Sequence, residues 1–279
     1  MKNFPGKAIT CVYDTLGPVR VLDDGTKRYL TFGDDDEQSC MIKASPALLQ
    51  YDYNRVMMLV LLFCQPKNIS VFGLGGGSLP HCLWQHFSDA QITVVELRQV
   101  VIDTAFKYFY LPVDPRLNVI NANALTYLAD AQGGQCDLLF SDLFLAKGLE
   151  LRQLSRVFID NVCCLLADNG WLVINCLEEY RTEKVLKDLL RQQFAFVYES
   201  ITDDGNWVIM AGKQGPQLVN SLEPDNSPGP VNSPEPVNSL EPDKSPDRAK
   251  AQFAQAKQLS RQLGFSLTTH LKRLVQVSN

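Results

Sequence analysis

Short apolar runs alternate with amphipathic segments through most of the chain. Ile69–Gly73, Ile92–Leu97, Leu117–Asn121, Cys136–Asp142 and Trp171–Cys176 read as strands. Between them, Ser78–Phe87, Gln99–Phe109, Ala124–Ala131, Leu151–Leu166 and Thr182–Gln193 carry the spacing of amphipathic helices. Pro80 is compatible with such a helix only in its first turn, where no intrahelical N–H is needed. Strands that alternate with helices of this length form βαβ units and build a parallel sheet covered on both faces. Phe196–Ile201 and Trp207–Ala211, joined through Asp203-Asp204-Gly205, predict a closing antiparallel pair. The fold class predicted is α/β, with a doubly wound, Rossmann-like sheet across residues 50–213.

The flanks have different patterns. In residues 1–49, Ala8–Tyr13, Val19–Leu22 and Arg28–Phe32 predict short strands. Leu16-Gly17-Pro18 and Asp23-Asp24-Gly25-Thr26 separate them, and Asp-Gly between apolar runs is a strong hairpin signal. A small antiparallel β domain is expected here. Residues 214–248 contain Val219–Asp225, which recurs almost unchanged at Val237–Asp243, with a shorter copy at Val231–Pro236. Proline, serine, asparagine and acidic residues bury too little apolar surface to offset chain entropy, so this stretch is predicted to be a linker. In residues 249–279, Phe253, Ala256, Leu259 and Leu263 share a helical face. Gly264 can stop that helix and Ser266 can cap a second, which carries Leu267, Leu271 and Leu274. A C-terminal helical hairpin is expected, docked on the main domain or on a partner.

Composition narrows the function classes. Of 279 residues, 46% are apolar, enough for a sizeable core, and the net charge is −5. That balance argues against broad nucleic-acid binding, which needs clustered Lys and Arg. The longest apolar run, Val56–Cys64, is far short of the ~20 residues that span a bilayer. Met1–Tyr13 lacks the apolar centre of a signal peptide. A soluble, cytoplasmic protein with no membrane or nucleic-acid partner is expected. The eight cysteines include no Cys-x-x-Cys pair, so buried, reduced thiols and no metal site are predicted. Cys163-Cys164 are assigned to the core, His81 and His86 to the surface or a helix cap, and Trp84, Trp171 and Trp207 to packing.

The candidate chemistry begins at Gly73-Leu74-Gly75-Gly76-Gly77-Ser78, where a strand turns into a helix. Glycines let the backbone turn sharply and approach a ligand, and the helix start offers free N–H groups. The next predicted strand ends in Val94-Val95-Glu96-Leu97, and Glu96, about 20 residues beyond Gly73, stands where a carboxylate can accept hydrogen bonds from ribose hydroxyls. Gly73, Gly75, Gly76, Gly77 and Glu96 together predict a nucleoside site. A dinucleotide loop would place its third glycine at Ser78, so the tighter pattern here favours a methionine–nucleoside cofactor over NAD.

The runs VFGLGGGSLPHCLWQHFSDAQITVVEL, DPRLNVINANALTYL and CDLLFSDLF resemble the spermidine synthase family and its methyltransferase-like relatives. Upstream, YLTFGDDDEQS and LLQYDYNRVM are similar to that family's β domain and lead-in helix, so the likeness covers roughly residues 8 to 213. It implies a class I methyltransferase fold that binds S-adenosylmethionine or decarboxylated S-adenosylmethionine and moves a methyl or aminopropyl group to a small-molecule acceptor. It also implies a homo-oligomer. Glu96 would bind ribose, and Asn123 stands where the family's acid contacts adenine. Asp142 would be the general base, and Gln38 would lie near the active site. The chain departs from the family pattern at Leu145, at Gly76 and in Tyr51-Asp52-Tyr53-Asn54-Arg55, where carboxylates or a different motif are usual. Gly76 in place of an acid predicts the intact cofactor, whose carboxylate would accept hydrogen bonds from the N–H groups of the glycine loop. The missing carboxylates leave a second reading, a non-catalytic nucleoside-binding protein whose hairpin recruits a partner.

Overall fold

The computed structural model describes residues 6–33, 37–145, 148–182, 184–215 and 246–277. The first sheet is an antiparallel meander of β1 (Lys7–Asp14), β2 (Gly17–Asp23), β3 (Lys27–Thr31) and β4 (Glu37–Ile42). The β2–β3 turn is fixed by Asp24, whose carboxylate accepts from the backbone N–H groups of Thr26 and Lys27. The strand β4 escaped the sequence pattern for a physical reason. Its consecutive residues Ser39, Cys40 and Met41 are all buried, so no polar–apolar alternation marks it.

The chain then enters α1 (Asp52–Met57) and a 3-10 turn, Met58–Leu62. Every residue from Val56 to Phe63 is buried. A helix that is apolar all round belongs inside a protein, and this one packs against the central strands on one side and the C-terminal helices on the other.

The main sheet is mixed. Its parallel part consists of β5 (Asn68–Phe72), β6 (Gln91–Glu96), β7 (Leu117–Asn121), β8 (Cys136–Ser141) and, beyond the two-residue strands β9 (Phe144–Leu145) and β10 (Gly148–Leu149), β11 (Leu166–Leu177). β12 (Phe196–Ile201), β13 (Asn206–Gly212) and β14 (Val275–Gln276) add antiparallel pairings. The order across the sheet is β14-β12-β13-β11-β8-β5-β6-β7. Helices α2 (Ser78–His86), α3 (Gln99–Tyr108), α4 (Ala124–Asp130), α5 (Arg156–Leu165) and α6 (Lys184–Gln193) cover its faces. The predicted α/β, doubly wound architecture with a small N-terminal β unit is therefore observed.

Several details differ from expectation. The single helix predicted over Leu151–Leu166 is a 3-10 turn, Leu151–Leu154, followed by α5, because Ser155 caps α5 through Phe158 N–H at 3.2 Å. The helix expected from Thr182 starts at Lys184, after a 3-10 turn at Glu178–Thr182. α7 (Pro246–Leu263) ends at Gly264, and α8 (Leu267–Leu271) is capped by Ser266. Leu274 lies outside α8, next to β14, which joins the sheet edge. The sequence repeats at 219–243 lie outside the described residues. Cys164 is exposed and Cys163 only half-buried, against their assignment to the core, because α5 turns them toward its outer side. His81 is buried, edge-on to Trp84, because the start of α2 is packed on all sides. Trp171 and Trp207 are core residues, as expected. Among the described residues no helix is long and apolar enough to cross a membrane.

The two sheets are tied together by Arg98, just past β6. Its buried guanidinium donates to both Asp14 oxygens at 2.8 and 2.9 Å and to Gly17 O at 2.8 Å, and it stacks 4.7 Å from the Phe32 ring. Breaking a largely buried, hydrogen-bonded pair leaves polar groups without partners. Arg98→Leu should therefore lower unfolding stability by about 2 kcal/mol at pH 7, measured by urea denaturation. The Arg98 hydrogen bonds hold Asp14 below its ordinary pKa of 3.8. Folding thus favours the ionised acid, so the difference between parent and variant should shrink as the pH falls below 3.8.

Candidate functional site

A cavity of about 560 Å³ opens over the carboxyl ends of β5, β6 and β8. β5 is flanked by β6 and β8, so the strand order reverses there, and in open α/β sheets such a point leaves a crevice for a ligand. The N-terminal sheet covers one side of the crevice with Phe32, Gln38 and Ser39, and α1 supplies Tyr53 and Asn54.

The glycine turn shapes its floor. Gly73 has φ +91°, and a Cβ there would fall 2.3 Å from the carbonyl oxygen of Asp142. Only a residue without a side chain lets the ends of β5 and β8 approach so closely. Gly73, Leu74 and Gly75 line the cavity. Gly76 and Gly77 do not line it; Gly77, at φ +79°, starts α2. The Gly76 N–H donates to Ser39 Oγ at 2.7 Å, and a Cβ at Gly76 would lie 2.9 Å from Ser39 Cβ and 3.0 Å from the Phe109 ring. This corrects the expectation drawn from Gly76. Its N–H is engaged by the N-terminal sheet, and the glycine is there because Ser39 and Phe109 fill the space a side chain would take.

Glu96 ends β6 and is buried at the cavity wall. Its carboxylate accepts from Leu74 N–H at 3.0 Å and Arg98 N–H at 2.8 Å, which couples it to the glycine turn. Burial pushes its pKa up, and the backbone N–H groups oppose that. Asn123 lines the cavity as the cap of α4, its side-chain oxygen accepting from Leu125 N–H at 2.9 Å. That oxygen has a second lone pair for a ligand donor, and the amide N–H groups add donors beside it. Gln38 lines the cavity from β4.

Asp142 stands just past β8. One carboxylate oxygen accepts from Asn175 Nδ2 at 2.8 Å and the other from Tyr53 Oη at 3.4 Å. Burial raises its pKa to about 6, with both hydrogen bonds acting in the opposite sense. Asn175 is itself buried and accepts from Asn206 Nδ2 at 2.9 Å, so three side chains hold the acid in line. The sequence reading missed Asn175 and Asn206. The available signal was a polar side chain inside the apolar run Trp171–Cys176, since buried amides require partners.

Sequence comparison with the family pattern predicted too few carboxylates for a cationic ligand. The fold supplies others from unexpected positions. Glu37, Glu150 and Asp204 line the cavity along with Glu96 and Asp142. Glu37 accepts from Tyr51 Oη, and Glu150 pairs with Arg152 at 2.7 Å. Arg98 is the single basic residue among the described lining residues, and its guanidinium is held by Asp14.

The fold is a methyltransferase-like α/β sheet with a crevice at the strand-order reversal. No family model matches the chain. A polyamine aminopropyltransferase of Vibrio vulnificus is 30% identical over 130 residues, covering 46% of this chain and 44% of that one. Another, from Chromobacterium violaceum, is 27% identical over 214 residues, covering 74% and 80%. The match to the first thus spans less than half of that relative's length. Among solved structures, a probable spermidine synthase from Corynebacterium glutamicum superposes with a TM-score of 0.65 at 17% identity, covering 78% of this chain and 83% of that one. Human methyltransferase-like protein 13 in complex with SAH gives 0.57 at 18%, covering 77% and 93%. The chain is thus similar in sequence to polyamine aminopropyltransferases and shares its fold with a probable spermidine synthase.

The raised pKa of Asp142 carries a stability consequence. Folding disfavours its ionised form, so the fold loses stability as the pH rises through about 6. Asp142→Asn should therefore melt at a higher temperature than the parent at pH 8, by up to roughly 3 kcal/mol in stability, and the difference should vanish at pH 4. Thermal unfolding at the two pH values checks this.

Proposed function

We propose that the crevice binds an adenosyl-sulfonium cofactor and catalyses transfer of one of its alkyl groups to an amine. The observation that carries this reading is Asp142, a carboxylate with a pKa near 6 held by Asn175 and Tyr53 at the mouth of an acid-lined crevice. The crevice fits the cofactor class on two counts. Its volume suits an adenosyl group, and Glu96 lines it with a carboxylate.

Glu96 would accept from ribose hydroxyls, and Asn123 would face the base with its amide donors. Gln38 would close the site from the N-terminal sheet. The cofactor supplies a carbon made electrophilic by its sulfonium. As the acceptor nitrogen forms a bond to that carbon, the C–S bond breaks and the nitrogen must lose a proton. Asp142 takes that proton, and a base with a pKa near 6 is ionised and still able to accept it at neutral pH. Burial by the N-terminal sheet and α1 excludes water that would compete with the amine.

The charge of the crevice supports a cationic acceptor and the decarboxylated form of the cofactor. Glu37, Asp142 and Asp204 would pair with ammonium groups, whereas the carboxylate of intact S-adenosylmethionine would meet several acids and one committed guanidinium. The Gly76 argument for the intact form does not survive its bond to Ser39. A binding-only role is disfavoured by the side chains that orient Asp142, which a passive nucleoside site does not need.

The test is product analysis by mass spectrometry with putrescine plus decarboxylated S-adenosylmethionine, and with an amine panel plus S-adenosylmethionine. Aminopropylated product is expected. Tight cofactor binding with no product from any amine would instead establish the binding module. Asp142→Asn should lower kcat/KM about 10²–10⁴-fold. In the parent, log(kcat/KM) should climb with a slope of about two below pH 6, where both Asp142 and the amine lose protons, and of about one above it. Asn175→Leu removes a hydrogen bond that lowers the Asp142 pKa, so its break point should move to higher pH.

A further inference from the structure

The C-terminal segment contacts two acids next to the crevice through one guanidinium. Arg273, between α8 and β14, donates to Asp203 at 2.8 Å and lies 3.6 Å from Asp52. Asp52 opens α1 and Asp203 sits in the β12–β13 turn, so one side chain bridges two elements far apart in the sequence. Each of these acids immediately precedes a residue that lines the crevice. Asp52 is followed by Tyr53, whose hydroxyl donates to Asp142, and Asp203 is followed by Asp204.

The surroundings make the bridge directional. Thr202 N–H donates to Asn206 O at 2.9 Å, Gly205 N–H donates to Thr202 O at 3.2 Å, and the Thr202 hydroxyl donates to Asp204. The turn is therefore closed by its own hydrogen bonds. Its far end is Asn206, which donates to Asn175 and through it supports Asp142. On the C-terminal side, α8 is anchored by buried Leu267 and His270, the ring of His270 lies 3.6 Å from Asp52, and Phe265 packs beneath Arg55 of α1. β14 pairs with β12 at Glu199 and Tyr198, close to the same turn. Arg273 is thus held on a docked element, with a hydrogen-bonded ion pair to the exposed Asp203 on one wall and a 3.6 Å charge contact to the half-buried Asp52 on the other.

We propose that Arg273 is a positioning residue for the acceptor half of the crevice, setting the distance between the α1 wall that carries Tyr53 and the turn that carries Asp204. The proposal rests on the reading of that half as an amine site. Arg273 touches neither cofactor nor acceptor; its action passes through Asp52 and Asp203. The residues assigned to the nucleoside, Glu96 and the glycine turn, lie on other elements, so their function should be independent of it.

Arg273→Met and Arg273→Lys in the full chain test this, with two readouts. Hydrogen–deuterium exchange by mass spectrometry follows the peptides around residues 51–57 and 201–206. Steady-state kinetics with putrescine and decarboxylated S-adenosylmethionine follow acceptor KM and kcat, and calorimetry follows cofactor affinity. In Arg273→Met, both peptides should exchange faster together, acceptor KM should rise at least fivefold, and cofactor affinity should stay within twofold of the parent. Arg273→Lys should restore much of the KM, because a cation is retained between the two acids. Unchanged exchange in both peptides, or faster exchange with KM unaltered, overturns the proposal. So does a uniform rise in exchange across the chain that Arg273→Lys fails to reverse, since that marks a merely structural role. If the parent gives no product, the functional reading fails on its own, and the exchange of the two peptides still decides whether Arg273 couples the walls.

Discussion

The close approach of two strand ends at Gly73 is the constraint on which the rest of the site depends. A Cβ at Gly73 would fall 2.3 Å from the Asp142 carbonyl oxygen, so β5 and β8 converge only because that position has no side chain. The convergence sets Asp142 beside the glycine turn. It also leaves Leu74 N–H facing Glu96, the acid at the end of the next strand. One missing side chain thereby places the proposed nucleoside acid and the proposed base on opposite sides of the same crevice.

A second constraint is that these acids are withdrawn from water and must be held by something other than it. Glu96 is held by backbone N–H groups, and Asp142 by an asparagine pair and a tyrosine. The difference has a chemical meaning. Backbone donors fix both Glu96 oxygens at the end of β6 and oppose the rise in pKa that burial causes, which suits an acceptor for ribose hydroxyls. Asp142 is held by side chains and has a pKa near 6, which suits an acid that must change protonation during a reaction. The N-terminal sheet takes part in both by covering the crevice, and Arg98 fixes that cover through Asp14.

Much of this was legible in the sequence because it is local. The alternation of apolar runs and amphipathic segments gave the βαβ core, and Gly73, Gly75 and Glu96 were marked by their places at strand ends. What stayed hidden involves partners distant along the chain. Ser39 engages Gly76 across 37 positions, and that contact reverses the inference drawn from the glycine alone. Asn175 looked like an ordinary strand residue until the sheet set it against Asp142. β4 lacks alternation because neighbours cover both of its faces, and β14 is too short to show any pattern. The carboxylates Glu37 and Asp204 come from elements that only the folded topology brings together.

The central claim is that Glu96 and the glycine turn hold the nucleoside of an adenosyl-sulfonium cofactor. Calorimetric titration of the parent and of Glu96→Gln, each with S-adenosylmethionine and with its decarboxylated form, tests it most directly. The parent should bind both, the decarboxylated form more tightly, and Glu96→Gln should weaken both at least tenfold, about 1.4 kcal/mol. Failure of the parent to bind either form, or unchanged affinity in Glu96→Gln, would contradict it.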